Sequence, residues 1–184
     1  MKDNKIVQLA LVLFAVCVVV AGVLGVVYNI TKPTIDRRAM EKTTAAFAAV
    51  LQADSYEEVK ISGYSLDQSI NSVYKAADGS GYVVESTFSG AQGNITMVVG
   101  VRSDYTCSGI SITEHSETSG LGAVAASTSE AGVAFREQFI GVGEGVTVKD
   151  IDALAGATIT STAVTNAVST SITTVKTIEG GAAA

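Results

Sequence analysis

Tryptophan is absent from this chain of 184 residues, and proline, histidine and cysteine number only 1, 1 and 2. A single proline excludes collagenous and proline-rich linker architectures. A single histidine, His115, leaves no basis for a His-based triad or a multi-histidine metal site, and it reads as a polar loop residue without a catalytic role. Basic residues are also scarce, since 12 Lys plus Arg stand against 18 Asp plus Glu, for a net charge of -6 and a pI near 4.7. The chain therefore lacks the basic face that phosphate backbones require, and nucleic acid is set aside as a partner. All charged residues together make up 16%, below the roughly 25% of an ordinary domain. Apolar residues fill the difference: 47% are hydrophobic and the mean hydropathy is +0.37, too apolar for a disordered tail.

That hydrophobicity is concentrated at the amino end, where Ile6 to Val27 is interrupted by one strongly polar side chain, Gln8. At about 1.5 Å per residue the run reaches about 33 Å as a helix, against a hydrocarbon core of about 30 Å. The reading is a single transmembrane anchor in membrane lipid. A cleaved signal peptide would have a shorter apolar core and an Ala-x-Ala site, and none follows here. Cys17 lies in the middle of the run after Val16, which suits a lipid-facing or packing side chain better than a lipoprotein cysteine. Lys2 and Lys5 flank one end while Lys32, Arg37, Arg38 and Lys42 follow the other, so the basic count leaves the orientation open. With Cys17 in the membrane and Cys107 alone outside it, no intrachain disulfide framework is available.

From Thr34 onward the chain can bury a core as one domain. Residues 34–51 predict a helical stalk, with Thr34 as a candidate N-cap and Ile35, Ala39, Ala46, Phe47 and Val50 along one stripe. The period then changes to that of strands: Ser72 to Ala76, Tyr82 to Phe88, Ile95 to Val101 and Cys107 to Glu114 are short and rich in Val, Ile, Thr and Tyr. Asp78-Gly79-Ser80-Gly81 and Ser89-Gly90-Ala91-Gln92-Gly93 supply hairpin turns, so the strands form an antiparallel meander. A loop over Ser116 to Ala123 precedes a short amphipathic helix, Ser129 to Ile140, with Phe135 and Phe139 four apart. Val146 to Val148 is expected as a further strand, Asp150 to Ala157 as a small-residue turn, and Thr160 to Ile178 as a helix. The fold class is α+β: one N-terminal transmembrane helix (residues 1–33), then a domain over 34–184 with antiparallel strands and flanking helices.

Two segments carry more than architecture. The first, Asp152-Ala153-Leu154-Ala155-Gly156-Ala157-Thr158-Ile159-Thr160-Ser161, is a turn of small residues entering a helix. It resembles the flavinylation motif of the RnfG and NqrC family, in which an Asp, two variable residues, a Ser or Thr and then Gly-Ala-Thr mark a threonine that carries FMN through a phosphoester. The resemblance implies Thr158 as the acceptor and Asp152 as a residue read by a separate flavin transferase, with Ala155 standing where the family has a hydroxyl. Gly156 and Ala157 would let that transferase approach, and a helix start offers unpaired amides to a phosphodiester, with Thr160 and Ser161 as added donors. A turn and a capped helix in an Ala-, Gly- and Thr-rich sequence is the plainer alternative.

The second, His115-Ser116-Glu117-Thr118-Ser119-Gly120-Leu121-Gly122, resembles the Glu-Thr-Pro-Gly-Leu-Gly segment of the same family, with Ser119 in place of the proline. The resemblance implies flavin contacts: Gly120 and Gly122 for close backbone approach, Leu121 over an apolar face, Glu117 and Thr118 at polar ring edges. An ordinary surface turn is the alternative. Asp150 and Asp152 lack further ligand spacing and read as solvated turn residues, and Ser116, Ser119 and Ser129 lack a nucleophile-elbow setting, so no metal site and no hydrolase is expected.

Both segments occur in the family order, about 40 residues apart, behind the same single anchor. The resemblance implies an electron-carrying subunit of an Rnf complex, coupling electron transfer between ferredoxin and NAD to sodium-ion or proton translocation. It further implies covalent FMN, other membrane and iron–sulfur or flavin subunits as partners, and a single-pass location in a bacterial or archaeal cell membrane with the domain extracytoplasmic. Two alternatives stay open here: an anchored pilin-like structural or interaction protein, and an FMN domain of another extracytoplasmic reductase.

Overall fold

The computed structural model describes residues 3–181; within its first helix the side chains of 3–10, 15, 26–27, 29–30 and 33–43 lie outside the description. That helix, α1, runs Asp3–Val50. Thr34 falls inside it, so no second helix starts there: a cap needs a break in the helical backbone, and α1 has none. The described apolar side chains of its first half, among them Leu11 to Phe14, Val16, Val23 and Leu24, are exposed. Among the described residues no helix is long and apolar enough to cross a membrane. The expected span over Ile6 to Val27 lies in part outside the described residues.

The chain divides into two compact units, 1–42 and 43–184. In the second, five strands follow one another as β1 (Tyr56–Glu58), β2 (Ile70–Ala76), β3 (Gly81–Ser89), β4 (Asn94–Arg102) and β5 (Cys107–His115). They lie side by side in chain order, and every pair is antiparallel. The expected meander is therefore present, with β1 added at one edge. Its turns are held by the residues that suggested them: the Asp78 carboxylate accepts from the Ser80 N–H at 2.9 Å, and the Gly90 N–H donates to the Gly93 carbonyl at 2.7 Å.

Alternation sends the two faces of the sheet to different partners. Val73, Tyr82, Val84, Met97, Val99 and Val101 point into the main core. There they meet Phe135 of α2 (Glu130–Glu137), Phe139 just beyond that helix, and Val164, Ala167, Val168, Ile172 and Val175 of the long carboxy-terminal helix α3 (Thr158–Glu179). Ala76, Val83 and Val98 on the opposite face pack on Ala46, Phe47, Val50 and Leu51 from the end of α1. Ser129 caps α2 by accepting from the Gly132 N–H at 3.2 Å.

The strand expected at Val146 to Val148 is not one. Thr147 and Asp150 instead form a capping box that winds Val148–Asp150 into a short 3-10 turn, with the Asp150 carboxylate accepting from the Thr147 N–H at 2.9 Å. The edge of β5 is met by Gly141 and Val142, which exchange backbone hydrogen bonds of 2.8 Å with Cys107. A second 3-10 turn, Gly122–Ala126, closes the loop after β5.

Candidate functional site

Three segments far apart in sequence converge at one end of the sheet: the β3–β4 turn, the loop after β5, and the first turn of α3. Glu117 joins them. Its side chain is 9% exposed, the only charged one among the buried described residues. The carboxylate accepts from the Thr160 hydroxyl of α3 and, at 3.1 Å, from the Gln92 N–H of the β3–β4 turn. Packing around it is tight enough to demand glycine. A Cβ on Gly122 would strike the carboxylate and the Thr160 hydroxyl, and one on Gly90 would strike the other carboxylate oxygen. Burial acts to raise the Glu117 pKa, but the hydrogen bonds from Thr160, Gln92 and Ala91 outweigh it and hold the carboxyl below its ordinary value.

The turn leading into α3 is shaped by Ser161. Its hydroxyl accepts from the Leu154 N–H at 3.0 Å and donates to the Ala157 carbonyl at 3.0 Å, while the Ala157 N–H donates to the Leu154 carbonyl at 2.9 Å. Gly156 takes φ of +71° between these bonds, in the left-handed region that glycine enters without strain. The helix then begins at Thr158, two residues earlier than expected. Thr158 is exposed, and its hydroxyl has no intramolecular partner among the described residues. No side chain caps this turn, and no acidic residue lies in it. Its leading amides therefore have no side-chain acceptor, and the positive end of the helix is not offset by an acidic residue.

The expected residues thus divide into two sets. Thr158, Thr118, Gly120, Leu121, Gly156 and Asp152 are exposed, whereas Glu117, Gly122, Ala157, Thr160 and Ser161 are buried. Leu121 is 46% exposed, and a Cβ on Gly156 would sit 3.3 Å from its Cδ2, so the two expected segments do meet. Asp152 is held by its peptide, whose N–H donates to Gln138 Oε1 at 2.8 Å and whose carbonyl accepts from Gln138 Nε2 at 3.3 Å. Thr160 and Ser161 direct their hydroxyls inward, to Glu117 and to the turn.

One residue that the motifs did not single out stands beside Thr158: Ile159, 62% exposed. Its signal is a large apolar side chain off the buried stripe of Thr160, Ala163, Val164 and Ala167.

A phosphorylated flavin needs an anchoring hydroxyl or anion site and apolar cover for a flat ring. The Thr158 hydroxyl and uncapped amides supply the first, and Leu121 and Ile159 supply the second. Over Gly120 a Cβ would meet no atom within 4 Å, which leaves the approach clear. These residues fit FMN. A separate cavity of about 310 Å³, lined by residues that include Gln138, Glu144 and Asp150, does not include Thr158. Among the described residues no group of three His, Cys, Asp or Glu could hold a metal ion.

Residues 90–173 match the family model described as FMN-binding domain, and residues 1–50 match that described as RnfG N-terminal region. A Methanosarcina acetivorans protein, named as a subunit of an ion-translocating oxidoreductase complex, is 34% identical over 195 residues, covering 98% of this chain and 100% of the relative. A subunit of the proton-translocating ferredoxin:NAD(+) oxidoreductase complex of Clostridium ljungdahlii is 31% identical over 192 residues, with 98% and 97% covered. A subunit of the Na(+)-translocating ferredoxin:NAD(+) oxidoreductase complex of Acetobacterium woodii is 32% identical over 191 residues, with 92% of each chain covered. An exposed hydroxyl at an uncapped helix start, an apolar flank and these end-to-end similarities converge: the chain belongs to the RnfG family of ion-translocating oxidoreductase complex subunits.

Proposed function

We propose that the chain is the flavin-carrying electron relay of a membrane-bound Rnf complex, with FMN attached covalently to Thr158. The carrying observation is the Thr158 hydroxyl, exposed and unpartnered among the described residues, at the head of a helix whose first turn has no cap. Attachment is a substitution at phosphorus without oxidation. A bond forms between Thr158 Oγ1 and the FMN phosphorus of FAD, the pyrophosphate bond to that phosphorus breaks, AMP leaves with the bridging oxygen, and the hydroxyl proton passes to solvent. A flavin transferase with its metal is the partner for this step, and Asp152 is the residue it reads. The negative phosphodiester then lies against the uncapped amides of α3. Gly120, Leu121 and Gly156 line the approach of the ring, and Thr118 meets a polar edge.

FMN supplies the exchange between two-electron and one-electron carriers; the protein binds, orients and shields it. The other Rnf subunits are the electron partners, with ferredoxin and NAD at the ends of the chain and a sodium ion or proton as the translocated ion. On this reading residues 1–33 anchor the chain in membrane lipid by a single span. The domain over 34–184, with its stalk at 34–51, lies on the extracytoplasmic side of a bacterial or archaeal cell membrane. The exposed apolar side chains from Leu11 to Leu24 support the anchor.

The test is intact mass and peptide mapping of the full chain coexpressed with an active flavin transferase. An FMN-sized addition on the peptide containing Thr158 is expected. Thr158→Ala should abolish it while changing domain stability by no more than about 0.5 kcal/mol, because an exposed hydroxyl without a partner contributes little. Covalent flavin on that variant would overturn the assignment.

A further inference from the structure

Glu117 is buried, ionised at neutral pH and held by neutral donors, while the salt bridge described elsewhere in the domain, Lys176 to Glu144, is at the surface. A carboxylate taken out of water costs several kcal/mol unless its lone pairs are satisfied, so its donors fix where it sits. One donor, Thr160, is two residues beyond Thr158 on the same helical turn. At about 100° per residue the two side chains lie about 200° apart around the axis, so pinning Thr160 inward turns Thr158 outward. The other donor, the Gln92 N–H, ties the same carboxylate to the sheet. The glycines at 90 and 122 make room for the carboxylate at this place, since a Cβ on either would strike one of its oxygens.

We propose that Glu117 and Thr160 form a latch that sets the rotation of the first turn of α3 and so presents Thr158 for flavin transfer. Glu117 is then a positioning residue, acting through Thr160 and the β3–β4 turn rather than by touching the ring. The proposal rests on attachment at Thr158.

Length and charge separate a latch from an electrostatic role. Glu117→Gln keeps the reach: the new amide oxygen can accept from the Gln92 N–H, and the new NH2 can donate to the Thr160 hydroxyl. Glu117→Asp keeps the charge but is one methylene short. The full chain, FAD and a flavin transferase are mixed, and FMN incorporation is followed by in-gel fluorescence and intact mass. Glu117→Gln and Thr160→Ser should be modified within about threefold of the wild-type kcat. Glu117→Asp and Thr160→Val should fall about tenfold or more in kcat with KM for the chain little changed, since misplacing a reacting group by about 1 Å costs up to about a hundredfold. Urea unfolding of each variant reports whether it is folded. Should Thr160→Val fail to fold, the order of the two Glu117 variants decides: Glu117→Asp faster than Glu117→Gln overturns the latch, as does Thr160→Val modified at the wild-type rate. A wild-type chain left unmodified by a transferase active on a control substrate overturns the attachment reading, and the latch with it.

Discussion

Glu117 also contributes to how the domain responds to acid. Its folded-state pKa lies below the ordinary value, so the folded chain binds that proton less readily than the unfolded chain does. The stability it contributes is complete above the unfolded pKa, about 4.3 for glutamate, and is lost as pH falls through the folded value. The urea midpoint of the wild type should therefore drop more steeply than that of Glu117→Gln between about pH 5 and pH 3. Parallel curves would show that the buried carboxylate carries no such linkage. The exposed carboxylates with lowered pKa values, such as Asp67, Asp78 and Asp104, are common to both proteins and cancel in the comparison. The two segments could be singled out in the sequence because Gly-Ala-Thr and Gly-Leu-Gly are local patterns, and the structure brings them together at Gly156 and Leu121. The bond between Glu117 and Thr160 was not legible, because pairing across 43 residues leaves no local trace.

At the scale of elements, α2 is short and depends on the core for its place. Phe135 on the helix and Phe139 just beyond it stack edge to face with centroids 5.4 Å apart, and Phe139 is fully buried. Arg136 ties the same helix to the loop before it, donating to the Ala125 and Ser127 carbonyls at 2.6 and 2.8 Å. Phe139→Ala should cost about 3–5 kcal/mol in urea denaturation, much of the stability of a single domain. A loss under about 1 kcal/mol would mean the cavity collapses without penalty. The four long strands were legible because β-branched runs alternate between turns of Asp, Gly and Ser. β1 was not, since Tyr-Glu-Glu offers three residues without apolar alternation. Val146 to Val148 misled because its apolar residues mimic a strand while Thr147 and Asp150, three apart, write a capping box.

On the scale of the whole molecule, the compact unit at 43–184 contains both cores, including Phe47, Val50 and Leu51 against one face of the sheet. A chain of residues 43–184 should stay soluble without detergent and unfold in one cooperative urea transition. Removing residues up to 51 should lower its stability by about 3 kcal/mol or more, because several large side chains leave one face of the sheet bare. Equal stability of the two fragments would assign the end of α1 no part in the fold. A last consequence concerns oxygen. Within residues 43–184 the sulfur-bearing side chains are Met97 and Cys107, both with no exposed surface, and burial pushes the Cys107 thiol up to about 11. Reduced flavins give peroxide when they meet dioxygen, and peroxide attacks accessible thiolates and thioethers first. With no tryptophan and both sulfur atoms sealed beneath the sheet, this domain offers little that its own cofactor could damage.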